Sequence, residues 1–119
     1  MATVLIIDDS SFMRKRIGNI VRQAGHDVIG TARDGAEGFD LYKKLRPDLV
    51  IMDVTMRGVD GIQAAGMIRE VDPEARILFM SLITDPEVIS MANELGAIDF
   101  LGKDDSERLS HIMDGLGKR

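Results

Sequence analysis

Five short runs of apolar residues punctuate the chain, at positions 3–8, 27–32, 48–53, 76–81 and 98–102. Val, Ile, Leu, Phe and Met dominate them, and three are nearly unbroken, the pattern of strands covered on both faces. The longer stretches between them carry apolar residues at helical spacing. Met13, Ile17, Ile20, Val21 and Ala24 make one such stripe, and Leu109, Ile112, Met113 and Leu116 another. Local signals mark the ends. Asp34 with Glu37, Asp60 with Gln63 and Thr84 with Glu87 have capping-box spacing, and Pro86 suits a first helical position. Gly25 and Gly96 stand where C-terminal caps belong, while Pro47 and Pro73 stop the second and third helices. Gly38, inside the second helix, weakens it by about 1 kcal/mol relative to alanine.

The predicted order is five strands, each followed by a helix. Strict alternation implies right-handed crossovers and a parallel sheet with helices on both faces. Five units suit an α/β, doubly wound, flavodoxin-like (βα)5 fold with strand order 2-1-3-4-5; a closed barrel needs about eight. In that order the first and third strands are neighbours, and a ligand crevice opens at their carboxyl ends.

The length of 119 residues allows one domain, expected to cover residues 1–119 without an output domain. The absence of cysteine excludes disulfides, thiolate metal sites and a cysteine nucleophile. A net charge of −5 argues against direct DNA binding or an anionic membrane surface as the main partner. The apolar runs are too short to span a bilayer, and Asp8 and Asp9 directly follow the first one. These features predict a soluble cytoplasmic domain.

The candidate chemistry lies at the strand ends. Asp8 and Asp9 end the first strand and Asp53 the third, so the expected order gathers three carboxylates in one crevice. Such a cluster repels itself unless a cation neutralises it, and an all-oxygen donor set suits a hard divalent ion such as Mg²⁺ or Mn²⁺. These aspartates are not needed as helix caps, because Ser10 or Ser11 serves the first helix and Asp60 the third. Lys103 follows the fifth strand and suits a phosphoryl oxygen; Ser81 ends the fourth, between Asp53 and Lys103, where its hydroxyl is expected to face the crevice. His26 and His111 lack partners at ligand spacing and read as solvated or edge-packed.

An acidic pair after strand one, Asp after strand three, Ser after strand four and Lys after strand five together resemble the response-regulator receiver family. The stretches Leu5-Ile6-Ile7-Asp8-Asp9-Ser10 and Pro47-Asp48-Leu49-Val50-Ile51-Met52-Asp53, with Gly58-Val59-Asp60-Gly61, carry the resemblance most specifically. It implies that Asp53 is the phosphoacceptor, receiving its phosphoryl group from a phosphohistidine on a sensor histidine kinase. It also implies Mg²⁺ (or Mn²⁺) on Asp9, Asp53 and the Thr55 backbone carbonyl, with Asp8 acting largely through water. Ser81 and Lys103 would take phosphoryl oxygens, and Phe100 matches the family's switch aromatic. Such a protein is a phosphoacceptor switch that catalyses only its own phosphotransfer and dephosphorylation.

The run Asp8-Asp9-Ser10-Ser11-Phe12-Met13-Arg14 is most similar to chemotaxis-type single-domain regulators, whose output is the flagellar motor switch; phosphorelay intermediates share the architecture. Output would pass to a separate protein on the face made by the fourth helix (85–95), the fifth strand and the fifth helix (106–116). Three residues depart from the family pattern: Asp104 replaces a Pro, Leu82 a small residue, and Arg57 a common Pro. Two alternatives use the same fold. A flavodoxin-like ligand-binding module needs a phosphate-cradling loop after the first strand, where two aspartates stand instead. A Mg²⁺-dependent aspartyl-phosphate phosphatase needs a second carboxylate two residues after its nucleophile, where Thr55 stands.

Overall fold

Alternation within the apolar runs divides the core in two. In a computed structural model, which describes Met1–Leu116, the strands are β1 (Thr3–Ile7), β2 (Asp27–Ala32), β3 (Leu49–Asp53), β4 (Ile77–Ser81) and β5 (Asp99–Gly102). They form one parallel sheet in the order β2-β1-β3-β4-β5, as the pattern predicts. Leu5, Ile7, Val50, Met52, Ile77 and Phe79 lie on one face, with Tyr42, Ala64, Ala65, Ile68 and Ala92. Those five come from α2 (Gly35–Leu45), α3 (Gly61–Val71) and α4 (Pro86–Glu94). Val4, Ile6, Leu49, Ile51, Leu78, Met80 and Leu101 lie on the other, against α1 (Ser11–Gln23) and α5 (Ser106–Asp114).

The helix starts follow local side-chain chemistry. Ser10 caps α1 by accepting the Met13 N–H, and Asp60 with Gln63 forms the complete reciprocal box on α3. Two expectations need correction. The Asp34 side chain does accept the Glu37 N–H, but the Glu37 carboxylate reaches back to the Arg33 N–H, one residue earlier than a capping box requires. At α4 the cap is Asp85, not Thr84, and it accepts the Glu87 N–H at 2.9 Å. Pro86 explains this: with its fixed φ it occupies the first helical position, so the preceding residue must be the cap. Gly38 forms helix despite its poor propensity because a Cβ there would lie 2.4 Å from the Ile7 side chain. Close packing of α2 on β1 thus outweighs the propensity cost.

Candidate functional site

Register and side-chain parity build the crevice. Ile7 pairs with Met52, so Asp8 stands level with Asp53 just past the strand end. Asp53 pairs with Met80, and Met80 with Leu101, two residues before Lys103. Asp8, Asp53 and Lys103 all continue the α1/α5 face, and all three are buried at 1%, 3% and 7% exposure. Lys103 Nζ lies 3.0 Å from Asp8 Oδ2 and 3.1 Å from Asp53 Oδ2, and donates a hydrogen bond to Asp8 Oδ1 at 3.2 Å. The lysine that follows the fifth strand is therefore a buried counter-ion between two carboxylates. Its backbone N–H is fixed to the Ser81 carbonyl at 2.9 Å, so Asp104 does not displace it, and Asp105 caps α5.

The carboxylates are held unequally. Asp8 Oδ1 also accepts the Ser10 N–H at 2.9 Å, whereas its buried Oδ2 has no hydrogen-bonding donor. That oxygen's partner is the Lys103 ammonium, in an ion pair at 3.0 Å. Asp53 Oδ1 accepts a long bond, 3.4 Å, from the Thr55 N–H. Asp9 is exposed, and one oxygen from each of Asp8, Asp9 and Asp53 falls within 4.8 Å of the others. Three clustered carboxylates, two of them buried around a single lysine, fit a hard divalent cation of the Mg²⁺ type.

Electrostatics lead to the same conclusion. Burial, then the neighbouring Asp8 charge, pushes the Asp53 carboxyl from 3.8 up to about 6, although Lys103 opposes the rise. Burial alone would lower the Lys103 ammonium; its hydrogen bonds to Asp8 and Asp53 overcome this and hold it above its ordinary value. Two aspartates share one lysine here, and a bound cation would relieve the excess negative charge.

Above Asp53 the crevice opens into a cavity of about 270 Å³ lined by Asp9, Asp53, Thr55, Leu82, Ile83 and Lys103. Leu82 is 82% exposed, standing at this mouth rather than filling it. Ser81 does not line the cavity. It is buried, and its hydroxyl accepts the Ile83 N–H at 3.0 Å. In the strand alternation it continues the Phe79 row on the α3/α4 face. Phe100, half-buried on that same face, packs against Phe79 with ring centroids 6.1 Å apart. Sequence thus brings Asp8, Asp9, Asp53 and Lys103 together, while Ser81 and Phe100 lie behind them.

Neither histidine joins the site, but His26 is not solvated. Its Nδ1 accepts the Ala2 N–H at 2.8 Å and its Nε2 lies 2.6 Å from the Met113 carbonyl, tying β1 to the end of α5. A lone histidine in a turn carries no sequence signal for this role.

The response regulator receiver domain model matches residues 4–114, nearly the whole chain. The chain belongs to the response-regulator receiver family. It is 44% identical over 103 residues to protein CcdB of Bacillus subtilis, covering 87% of this chain and 86% of that one. It is 38% identical over 115 residues to the chemotaxis protein CheY of Thermotoga maritima, covering 97% and 94%. The CheX–CheY–BeF3–Mg²⁺ complex from Borrelia burgdorferi contains a chain 33% identical with a TM-score of 0.88, covering 98% and 90%. As a receiver domain it is a signalling module of two-component systems, not a metabolic enzyme. Neither the ligand-binding nor the phosphatase alternative gains support from these relatives. No helix among the described residues is long and apolar enough to cross a membrane.

Proposed function

We propose that this receiver domain accepts a phosphoryl group on Asp53 from a phosphohistidine of a sensor histidine kinase. The observation that carries the reading is the Asp53 carboxylate at the floor of an open crevice, 3.1 Å from Lys103 and clustered with Asp8 and Asp9. An Asp53 carboxylate oxygen attacks phosphorus, the phosphorus–nitrogen bond breaks, and its electron pair leaves on the imidazole. Lys103, already in place, offsets charge on the transferred oxygens without reorganisation. Asp9, Asp53 and the Thr55 carbonyl would hold Mg²⁺ or Mn²⁺, with Asp8 beside them; bound there, the ion would supply further charge neutralisation. Hydrolysis of the acyl phosphate by the same site resets the switch.

Signalling follows from the residues behind the crevice. A dianion on Asp53 offers an acceptor to the Ser81 O–H, whose oxygen already accepts the Ile83 N–H. Movement of Ser81 toward it makes room on the Phe79 face, and Phe100 turns inward. Burying the rest of an aromatic ring yields a few kcal/mol at most, about 2, which biases a two-state element without locking it. The surface changed is α4, β5 and α5, where a separate output protein binds. The likeness to CheY of Thermotoga maritima, and the CheX–CheY complex among solved structures, support a chemotaxis-type output in the cytoplasm. Intact mass after incubation with acetyl phosphate and Mg²⁺ tests the reading. One phosphoryl group is expected on the wild type and none on Asp53→Asn or in chelator; equal uptake in chelator refutes the metal site.

A further inference from the structure

Asp9 has a second side. Besides the crevice over Asp53, it lines an adjoining cavity of about 510 Å³ with Arg33, Asp34 and Arg57. Arg57 is the residue standing where the family commonly has Pro. Both arginines are exposed, and among the described residues neither guanidinium makes an ion pair or a hydrogen bond. Asp34 accepts the Glu37 N–H as the α2 cap, so its carboxylate is oriented toward the helix start, and the cavity's lining balances two guanidiniums against two carboxylates.

The backbone fixes this pair. The Arg33 N–H donates to the Glu37 carboxylate at 2.8 Å, and the Gly35 N–H donates to the Val59 carbonyl at 3.2 Å. A Cβ at Gly35 would lie 2.3 Å from that carbonyl, so glycine is what permits the two loops to meet. The loops carrying Arg33 and Arg57 are thereby clamped beside Asp9. Without a cation the crevice itself is acidic, with three carboxylates to one lysine, and repels an incoming dianion. Two guanidiniums without an ion pair stand at its edge, and the planar, multiply donating guanidinium suits phosphoryl oxygens.

We propose that Arg33 and Arg57 form an anion-recruiting subsite that binds the dianionic phosphoryl group of a phosphodonor beside Asp9 before transfer. The proposal rests on Asp53 being the acceptor. In the transfer, an Asp53 oxygen bonds to phosphorus and the donor's bond to phosphorus breaks, its electron pair leaving on acetate or on imidazole. The arginines act on the encounter and not on this step.

Two donors present the same phosphoryl group on different leaving groups: acetyl phosphate, and N-phosphoimidazole as the chemistry of a phosphohistidine. Uptake by the full chain in Mg²⁺ is followed by intact mass for wild type, Arg33→Ala/Arg57→Ala, and Lys43→Ala/Lys44→Ala. The lysine variant removes the same charge from the far end of α2. At limiting donor and low salt, the arginine variant should slow about tenfold with both donors, with the loss vanishing at high salt. The lysine variant should match wild type. An unchanged arginine variant, a loss with one donor only, or an equal loss in the lysine variant overturns the subsite. Absence of uptake by the wild type overturns the acceptor assignment instead, and a readout independent of transfer then decides the subsite. In Asp53→Asn titrated with inorganic phosphate, the Arg33 and Arg57 side-chain N–H resonances should shift together; their constancy overturns the pair.

Discussion

Replacing Asp53 by Asn should stabilise the metal-free protein. The folded chain raises this carboxyl from 3.8 to about 6, so it binds its proton more tightly than the unfolded chain does. Stability contributed by the protonated form is complete below 3.8, is lost as pH rises toward about 6, and stays lost above it. At pH 7 the ionised group costs up to about 3 kcal/mol, at about 1.4 kcal/mol for each tenfold change in proton affinity. An amide carries no such penalty. For a domain of this length about 1 kcal/mol corresponds to roughly 4 °C, so Asp53→Asn should melt up to about 12 °C higher in chelator at pH 7. Near pH 4 the two proteins should nearly coincide. Mg²⁺ should raise the wild-type melting temperature and leave the variant almost unmoved, because the variant lacks one of three carboxylates. Thermal and urea unfolding at both pH values, with and without Mg²⁺, measures all of this. A wild type equal to or more stable than the variant at pH 7 in chelator would refute the electrostatic argument. A gap unchanged at pH 4 would refute it equally, by assigning the gain to packing.

Other outcomes follow from the same geometry. Lys103→Ala removes a buried counter-ion from two carboxylates, so it should cost roughly 3–5 kcal/mol at pH 7 and move the Asp53 titration above about 6, as read by urea unfolding and carboxyl NMR. Asp9→Ala should weaken Mg²⁺ affinity at least about tenfold, against no change for the exposed Asp40→Ala, in a calorimetric titration. Leu82→Ala should widen the crevice mouth and speed phosphoryl uptake from acetyl phosphate severalfold without a change in melting temperature. With beryllofluoride and Mg²⁺, NMR shifts should reach Phe100 and α4; shifts confined to the loops around Asp9, Asp53 and Lys103 would rule out the Ser81–Phe100 route.

The architecture was legible because its determinants are local: apolar runs of strand length, helical stripes between them, and caps at the joints. The site was legible because βα alternation sends every strand end to the same edge, which gathers Asp8, Asp9, Asp53 and Lys103 whatever the side-chain details. What escaped depended on facing and depth. Ser81 was expected in the crevice from its strand end alone, yet it lies two residues after Phe79 and shares that row's face. The alternation held that information. The Asp85 cap was similarly implied by Pro86. Nothing in the sequence, however, distinguishes buried Asp8 from exposed Asp9, or marks Lys103 and His26 as buried. Those depths come from how far the flanking loops fold over the sheet's edge.

Asp53 is proposed as the nucleophile that takes the phosphoryl group. Its most direct test is site mapping: the chain is phosphorylated with acetyl phosphate and Mg²⁺, the acyl phosphate is reduced with borohydride, and the peptides are sequenced by mass spectrometry. Reduction converts an aspartyl phosphate, and only that aspartate, to homoserine. Homoserine is expected at position 53 alone, dependent on Mg²⁺. Homoserine at position 8 or 9, or stable phosphate on a hydroxyl with Asp53 unmodified, would contradict it.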